Sequence, residues 1–238
     1  MGNPRYYTGF AMQVTAIAER LETVRLRIAG ACQRAGRSPD EVTLVAVVKG
    51  FPPEVVRQAT AAGIGHFGEN RVQEAQAKLP HLADLSPRPI WHMVGHLQSN
   101  KVKTALNLFD IIQTVDSLHL AEAISRWVPS SVRVPVLLEA NIAGDPAKYG
   151  FSPEEMPAQA EAIRSLPGLD VRGLMTVAPI AEDADELRPV FRRLREMAGS
   201  LGLRKLSMGM TDDFEVALEE GATIVRIGRA IFGERSQP

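Results

Sequence analysis

The chain has 238 residues, of which 45% are hydrophobic and 23% charged, with a formal net charge of −1. That length holds one large domain or two small ones, and the near-neutral balance excludes a broadly basic nucleic-acid surface or a polybasic membrane-binding one. Cys32 is the single cysteine, so no intrachain disulfide is possible, which fits a reducing cytoplasm.

The opening stretch, MGNPRYYTGF, lacks the apolar run of a secretory signal and has Tyr6 where a myristoylation pattern needs Ser or Thr. Residues 1–11 read as a disordered lead-in, and residues 12–238 as one domain. No apolar run approaches the roughly 18 residues of a membrane span. Residues 11–35 have the pattern of a long amphipathic helix closed by AGRSPD. Short apolar runs then recur near 42–48, 64–67, 90–94, 110–115, 133–140, 170–175, 204–208 and 223–227. Helical patterns alternate with them at 53–62, 70–79, 98–106, 117–127, 153–165, 183–200 and 211–220. The punctuation agrees. Pro53 suits a first helical turn, Gly63 a helix end, and SPEE at 152–155 is a capping box. Alternating strands and helices predict a parallel sheet with right-handed crossovers. Eight such units predict an α/β fold, a single (β/α)8 barrel with an extra N-terminal helix; a doubly wound open sheet is the alternative.

In a barrel, functional groups gather at the C-terminal ends of the strands. The run TLVAVVKG ends in Lys49, which shares parity with Val45 and Val47 and so faces the interior if they do. Lys49 is either a solvated rim lysine whose stem covers apolar surface or a Schiff-base lysine. An amine held against apolar surface gives up its proton more readily and becomes the nucleophile that attacks an aldehyde. The last two runs end in SMGM, Ser207 to Met210, and VRIGRAIFG, 225 to 233. Loops after strands seven and eight of barrels often hold phosphate. Gly209 and Gly228 would let backbone N–H groups approach an anion, and Ser207 adds a hydroxyl. A lysine facing a phosphate cradle suits a phosphorylated aldehyde, of which pyridoxal 5'-phosphate (PLP) is the obvious one. Arg226 has inward parity with Ile224 and Gly228 and needs a partner there. That partner is a structural carboxylate or the ring nitrogen of the cofactor, to which a permanently protonated guanidinium would donate.

Three other patterns read as structural. GIGHFG at 63–68 matches a dinucleotide fingerprint literally but follows a helix and spans a strand, the reverse of the required order. His92 and His96 in HMVGH straddle a strand end and lack a third metal ligand, so a hydrogen-bonding role is expected. Asp212 and Asp213 read as acids compensating a helix dipole.

The segments VAVVKGFP, HFGENRVQEA, WHMVGHLQSNKVK, KYGF, GLMTVAP, SMGMTDDFEVALEEGAT and VRIGRAIFG together resemble the PLP homeostasis protein family, single-domain relatives of the alanine racemase barrel. The resemblance runs from about residue 12 to the end. It implies a fold-type III PLP barrel with Lys49 as the Schiff-base lysine. It places Ser207 and Gly228 on the phosphate, helped by the backbone of Gly209 and Arg229, and sets Arg226 against the pyridine nitrogen. It further implies that Asn70, Met175 and Met210 line the pocket. It also implies a cytoplasmic protein that buffers or delivers PLP, with apo PLP-enzymes as possible recipients, no nucleic acid or membrane partner, and a monomeric state. Three positions depart from the family pattern: Val48 and Gly50 replace hydroxyl residues and remove hydroxyls near the Schiff base, and Arg229 stands where Ser or Thr is usual. The racemases carry a second domain and a partner tyrosine; this chain ends at Pro238, so two-base racemisation is not expected. A racemase-like PLP enzyme is the alternative, followed by a PLP-free Schiff-base aldolase.

Overall fold

The computed structural model describes the backbone of residues 4–129 and 131–234, and side chains from residue 15 onward. Eight parallel strands close on themselves in chain order: β1 (Thr43–Val47), β2 (His66–Glu69), β3 (Ile90–Met93), β4 (Ile111–Val115), β5 (Val134–Glu139), β6 (Leu169–Met175), β7 (Lys205–Ser207) and β8 (Ile224–Ile227). β1 pairs with both β2 and β8, so the open-sheet alternative is excluded and no strand is left as an edge. The helices are α1 (Pro4–Arg34), α2 (Pro53–Ala61), α3 (Val72–Lys78), α4 (Val102–Leu106), α5 (Leu118–Trp127), α6 (Met156–Arg164), α7 (Arg188–Ser200), α8 (Phe214–Glu219) and α9 (Arg229–Phe232). α1 is the extra N-terminal helix, and it includes residues 4–11 of the expected lead-in; residues 1–3 lie outside the described residues.

Every apolar run overlaps a strand, but β2 starts two residues later than its run. The N–H of Ile64 donates to Ala59 O at 3.0 Å and that of Gly63 to Thr60 O at 2.9 Å, so Ile64 belongs to the closure of α2. The capping box forms as read: Ser152 N–H donates to Glu155 Oε2 at 3.1 Å and Glu155 N–H to Ser152 Oγ at 3.2 Å.

Strand alternation sorts the side chains into two environments. Ala46, Phe67, Trp91, Met93, Ile112, Leu138, Leu174, Leu206, Val225 and Ile227 point outward and form one continuous core with the helices. Inside the barrel, Val45, Leu137, Met175 and Ile224 make a small separate apolar cluster. Beside it lies a polar group: His92, Gln113, Ser207 and Arg226 are all buried. A barrel interior is normally filled by branched apolar side chains, so this polar filling is a structural commitment.

Candidate functional site at the C-terminal mouth

Val45 lies in the interior cluster, so the parity argument places Lys49 on the inward register at the end of β1. β1 stops at Val47, and Lys49, two residues further on, is exposed rather than desolvated on an apolar wall. The backbone beneath it is held firmly. The Lys78 ammonium on α3 donates to Val48 O at 2.7 Å and also to the Glu69 carboxylate. Both side chains of that pair are buried, and burial pushes the Glu69 carboxyl up despite the adjacent lysine. On the other side of Lys49, Gly50 N–H donates to Glu74 Oε2 at 2.9 Å. Val48 is fully buried in the outer core, so its replacement of a hydroxyl residue subtracts nothing from the mouth.

The loops after β7 and β8 form the opposite wall. Gly209 has φ +94°, and a Cβ there would lie 2.7 Å from Ala217 Cβ and 2.9 Å from Phe214 Cα. Only glycine fits. At Gly228 a Cβ would lie 3.3 Å from Val47 O, so glycine permits the tight approach of β8 to β1. α8 starts at Phe214 and not at 211, because residues 210–213 are a turn. Asp213 Oδ1 accepts Met210 N–H at 2.5 Å, and Asp213 N–H donates to Met210 O. The N–H groups of Thr211, Asp212, Arg229 and Ala230 have no acceptor among the described residues. Unpartnered N–H donors on the loops after β7 and β8 make this wall a candidate anion seat. The Arg229 guanidinium reaches across this seat and pairs with Asp212, so the acids of TDD close loops instead of compensating a dipole.

Ser207 lies inside the barrel rather than at its rim. It is fully buried, donates its hydroxyl proton to Gln113 Oε1 at 2.6 Å and accepts from Arg226 Nη1 at 2.6 Å. Arg226 also donates to Thr176 O at 2.9 Å. No carboxylate lies within ion-pair distance of Arg226 among the described residues, so the structural ion pair is not formed. Burial lowers the Arg226 pKa to about 10, opposed by the nearby charges of Glu139 and Asp213. Met175 is buried in the interior cluster and Met210 is exposed on the rim. Asn70 lies at the end of β2, half-buried, in a cleft of about 510 Å³ with Arg71, Glu74, His96, Gln98 and Lys101. His92 and His96 are engaged separately: His92 is inside the barrel, while His96 Nδ1 meets Asp116 Oδ2 at 2.8 Å and its ring stacks on Tyr149 at 3.8 Å.

Two mouth residues escaped the sequence reading. Glu139 ends β5 on the inward parity of Leu137. Burial, reinforced by Asp116 and opposed by Arg226, raises its carboxyl to about 7. The argument that singled out Lys49, a charge closing an apolar run, applies equally to VLLEA. Thr211 was absorbed into an expected helix, yet it lies half-buried in the anion-seat loop with a hydroxyl that has no partner among the described residues.

A closed barrel of eight parallel strands, with a lysine and two glycine loops at its C-terminal mouth, defines the class as a (β/α)8 barrel. The family model of the alanine racemase N-terminal domain matches residues 20–236. A Pseudomonas aeruginosa pyridoxal phosphate homeostasis protein is 46% identical, covering 93% of this chain and 97% of its own length. The Aquifex aeolicus protein of the same name is 44% identical over 91% of this chain and 97% of its own. The structure of PipY from Synechococcus elongatus with PLP bound superposes with TM-score 0.79 at 39% identity, covering 91% of this chain and all of that one. Alanine racemase from Corynebacterium glutamicum shares the fold alone, at TM-score 0.67 and 20% identity, with 94% of this chain matching 62% of that one. The chain belongs to the pyridoxal phosphate homeostasis protein family.

Proposed function

We propose that this protein binds PLP through a Schiff base at Lys49 and serves intracellular PLP homeostasis, holding or handing on the cofactor without turnover. The observation that carries this reading is the pairing, at one end of the barrel, of Lys49 with an anion seat built from unpartnered N–H groups. The residues fit the cofactor. The seat supplies donors for a phosphate, Gly209 leaves space where a Cβ would collide, and Arg226 presents a cation below. When bound, the cofactor supplies an aldehyde, which condenses with the lysine amine and releases water. In this reading the N–H groups of Thr211, Asp212 and Arg229 take the phosphate with Gly209 and Gly228 allowing the approach. Arg226 faces the ring nitrogen, and Asn70, Met175 and Met210 line the ring. Ser207 acts beneath Arg226 and not on the phosphate. A guanidinium donates without giving up its proton, which leaves the ring a weaker electron sink than a pyridinium, and this supports a carrier over an enzyme.

The relatives' name and the PLP-bound PipY structure support the same reading. Among the described residues no helix is long and apolar enough to cross a membrane; we take the protein to work in the cytoplasm as a monomer, with apo PLP-enzymes as recipients. The test is an absorbance titration with PLP of the protein and of Lys49→Ala. A visible band that borohydride traps in the first and that is missing from the second supports the proposal. A band of equal strength in both proteins, or none in either, refutes it.

A further inference from the structure

Five inward-facing residues form an unbroken hydrogen-bonded file across the barrel interior, and the cofactor reading above assigns a role only to its last member. His66 Nδ1 lies 3.0 Å from His92 Nε2. Gln113 Nε2 lies 2.8 Å from His92 Nδ1. Ser207 Oγ is 2.6 Å from Gln113 Oε1, and Arg226 Nη1 is 2.6 Å from Ser207 Oγ. The members come from β2, β3, β4, β7 and β8.

The direction of the file follows from its end groups. A guanidinium has no lone pair to offer, so Ser207 Oγ must accept from Arg226. The serine proton then needs an acceptor, and Gln113 Oε1 is the one in reach. That fixes the amide, whose Nε2 faces His92 and can only donate. His92 Nδ1 therefore accepts, its proton sits on Nε2, and it donates to His66 Nδ1. Reversing the glutamine would leave the buried serine proton without a partner, which is costly in a dry interior. Burial, with the His66 charge adding to it, drives the His92 pKa down to about 3, so the ring stays in the neutral form that the file needs. Burial lowers His66 as well. Every bond points from Arg226 toward His66, which lines a separate cleft of about 500 Å³ at the other end of the barrel with Glu22, Arg25 and Asp40.

We infer that Gln113 is a positioning residue for cofactor binding: held between His92 and Ser207, it keeps the Ser207 hydroxyl as the acceptor that fixes the Arg226 guanidinium toward the cofactor ring. The inference rests on the PLP reading. Thr176 O provides only the second anchor of Arg226, on the other terminal nitrogen, and a guanidinium held at one point can turn. The file thus converts a neutral barrel interior into a fixed orientation of charge at the floor of the mouth.

Two measurements test it. In the cofactor-free protein, long-range proton–nitrogen correlation spectra should show both His92 and His66 as the Nε2–H tautomer. A wild-type His92 with its proton on Nδ1 overturns the file whether or not PLP binds. For the positioning role, Gln113→Leu should weaken PLP binding about tenfold, the scale of one lost buried hydrogen bond. It should add no further loss in an Arg226→Lys background, because the two act as one unit. Ser207→Ala, a smaller change in packing, should show the same non-additivity. Full additivity of Gln113→Leu or Ser207→Ala with Arg226→Lys overturns the inference. So does a Gln113→Leu protein that loses thermal stability but keeps its PLP affinity. Absence of a Lys49-dependent band in the wild type would instead refute the underlying PLP reading.

Discussion

Replacing Glu139 with glutamine should stabilise the protein at alkaline pH and remove part of its pH dependence. Glu139 is 8% exposed, and its carboxyl titrates near pH 7 against an ordinary 4.5. Burial is the main cause, Asp116 adds to it, and Arg226 opposes both. Because the folded value lies above the unfolded one, this group's contribution is fully present below about pH 4.5. It is lost as the pH rises through about 7. A shift of that size corresponds to about 3 kcal/mol at 1.36 kcal/mol per unit. Glutamine has nearly the shape of the protonated acid and cannot ionise. Urea unfolding of the cofactor-free protein at pH 5 and pH 8 should therefore show Glu139→Gln close to wild type at pH 5. At pH 8 it should be more stable by about 2–3 kcal/mol. Parallel pH profiles for the two proteins would show that Glu139 ionises freely in the fold and would sink the argument.

Lys78→Met should destabilise the protein by about 3–5 kcal/mol, because it strands the buried Glu69 carboxyl and releases Val48 O beneath Lys49. Lys78→Met combined with Glu69→Leu should recover most of that loss in the same urea assay; an equal or larger deficit in the double variant would mean the pair is not the cause. Gly209→Ala should weaken PLP binding at least tenfold, since the new methyl meets Ala217 and Phe214 and the backbone is held at φ +94°. Unchanged affinity in an absorbance titration would remove the β7 loop from the phosphate seat.

How much of this was legible in the sequence follows from how local each feature is. The alternation of β1 to β8 with helices was readable because each strand is buried on both faces and each helix on one, and both patterns are written over consecutive residues. Lys49 stands two residues past the end of β1 and is exposed, so parity marks its place at the strand end and not the course of its side chain. Glu139 was equally readable by that rule and was missed because its run was scored as apolar. The partners of Ser207 were not readable: SMGM shows that a serine lies near the end of β7, not that its hydroxyl turns toward Gln113. Those two residues are 94 positions apart, and no spacing in the sequence records their contact.

The polar interior also bears on why such a barrel suits a carrier. A (β/α)8 core filled by branched apolar residues places its charges on loops, where they can be reshaped freely. Here Arg226 stands on β8 itself, is lowered by burial only to about 10, and is anchored by neutral partners, so it keeps its charge without being neutralised by an adjacent acid. The cost of burying that charge is offset by a file of hydrogen bonds reaching to His66, not by the cofactor. A site whose floor is satisfied before the ligand arrives can bind and release PLP without rearranging its core. The groups open to change are then those at the rim: Lys49, the free N–H groups of the two loops, and Arg229, which holds Asp212 across the seat.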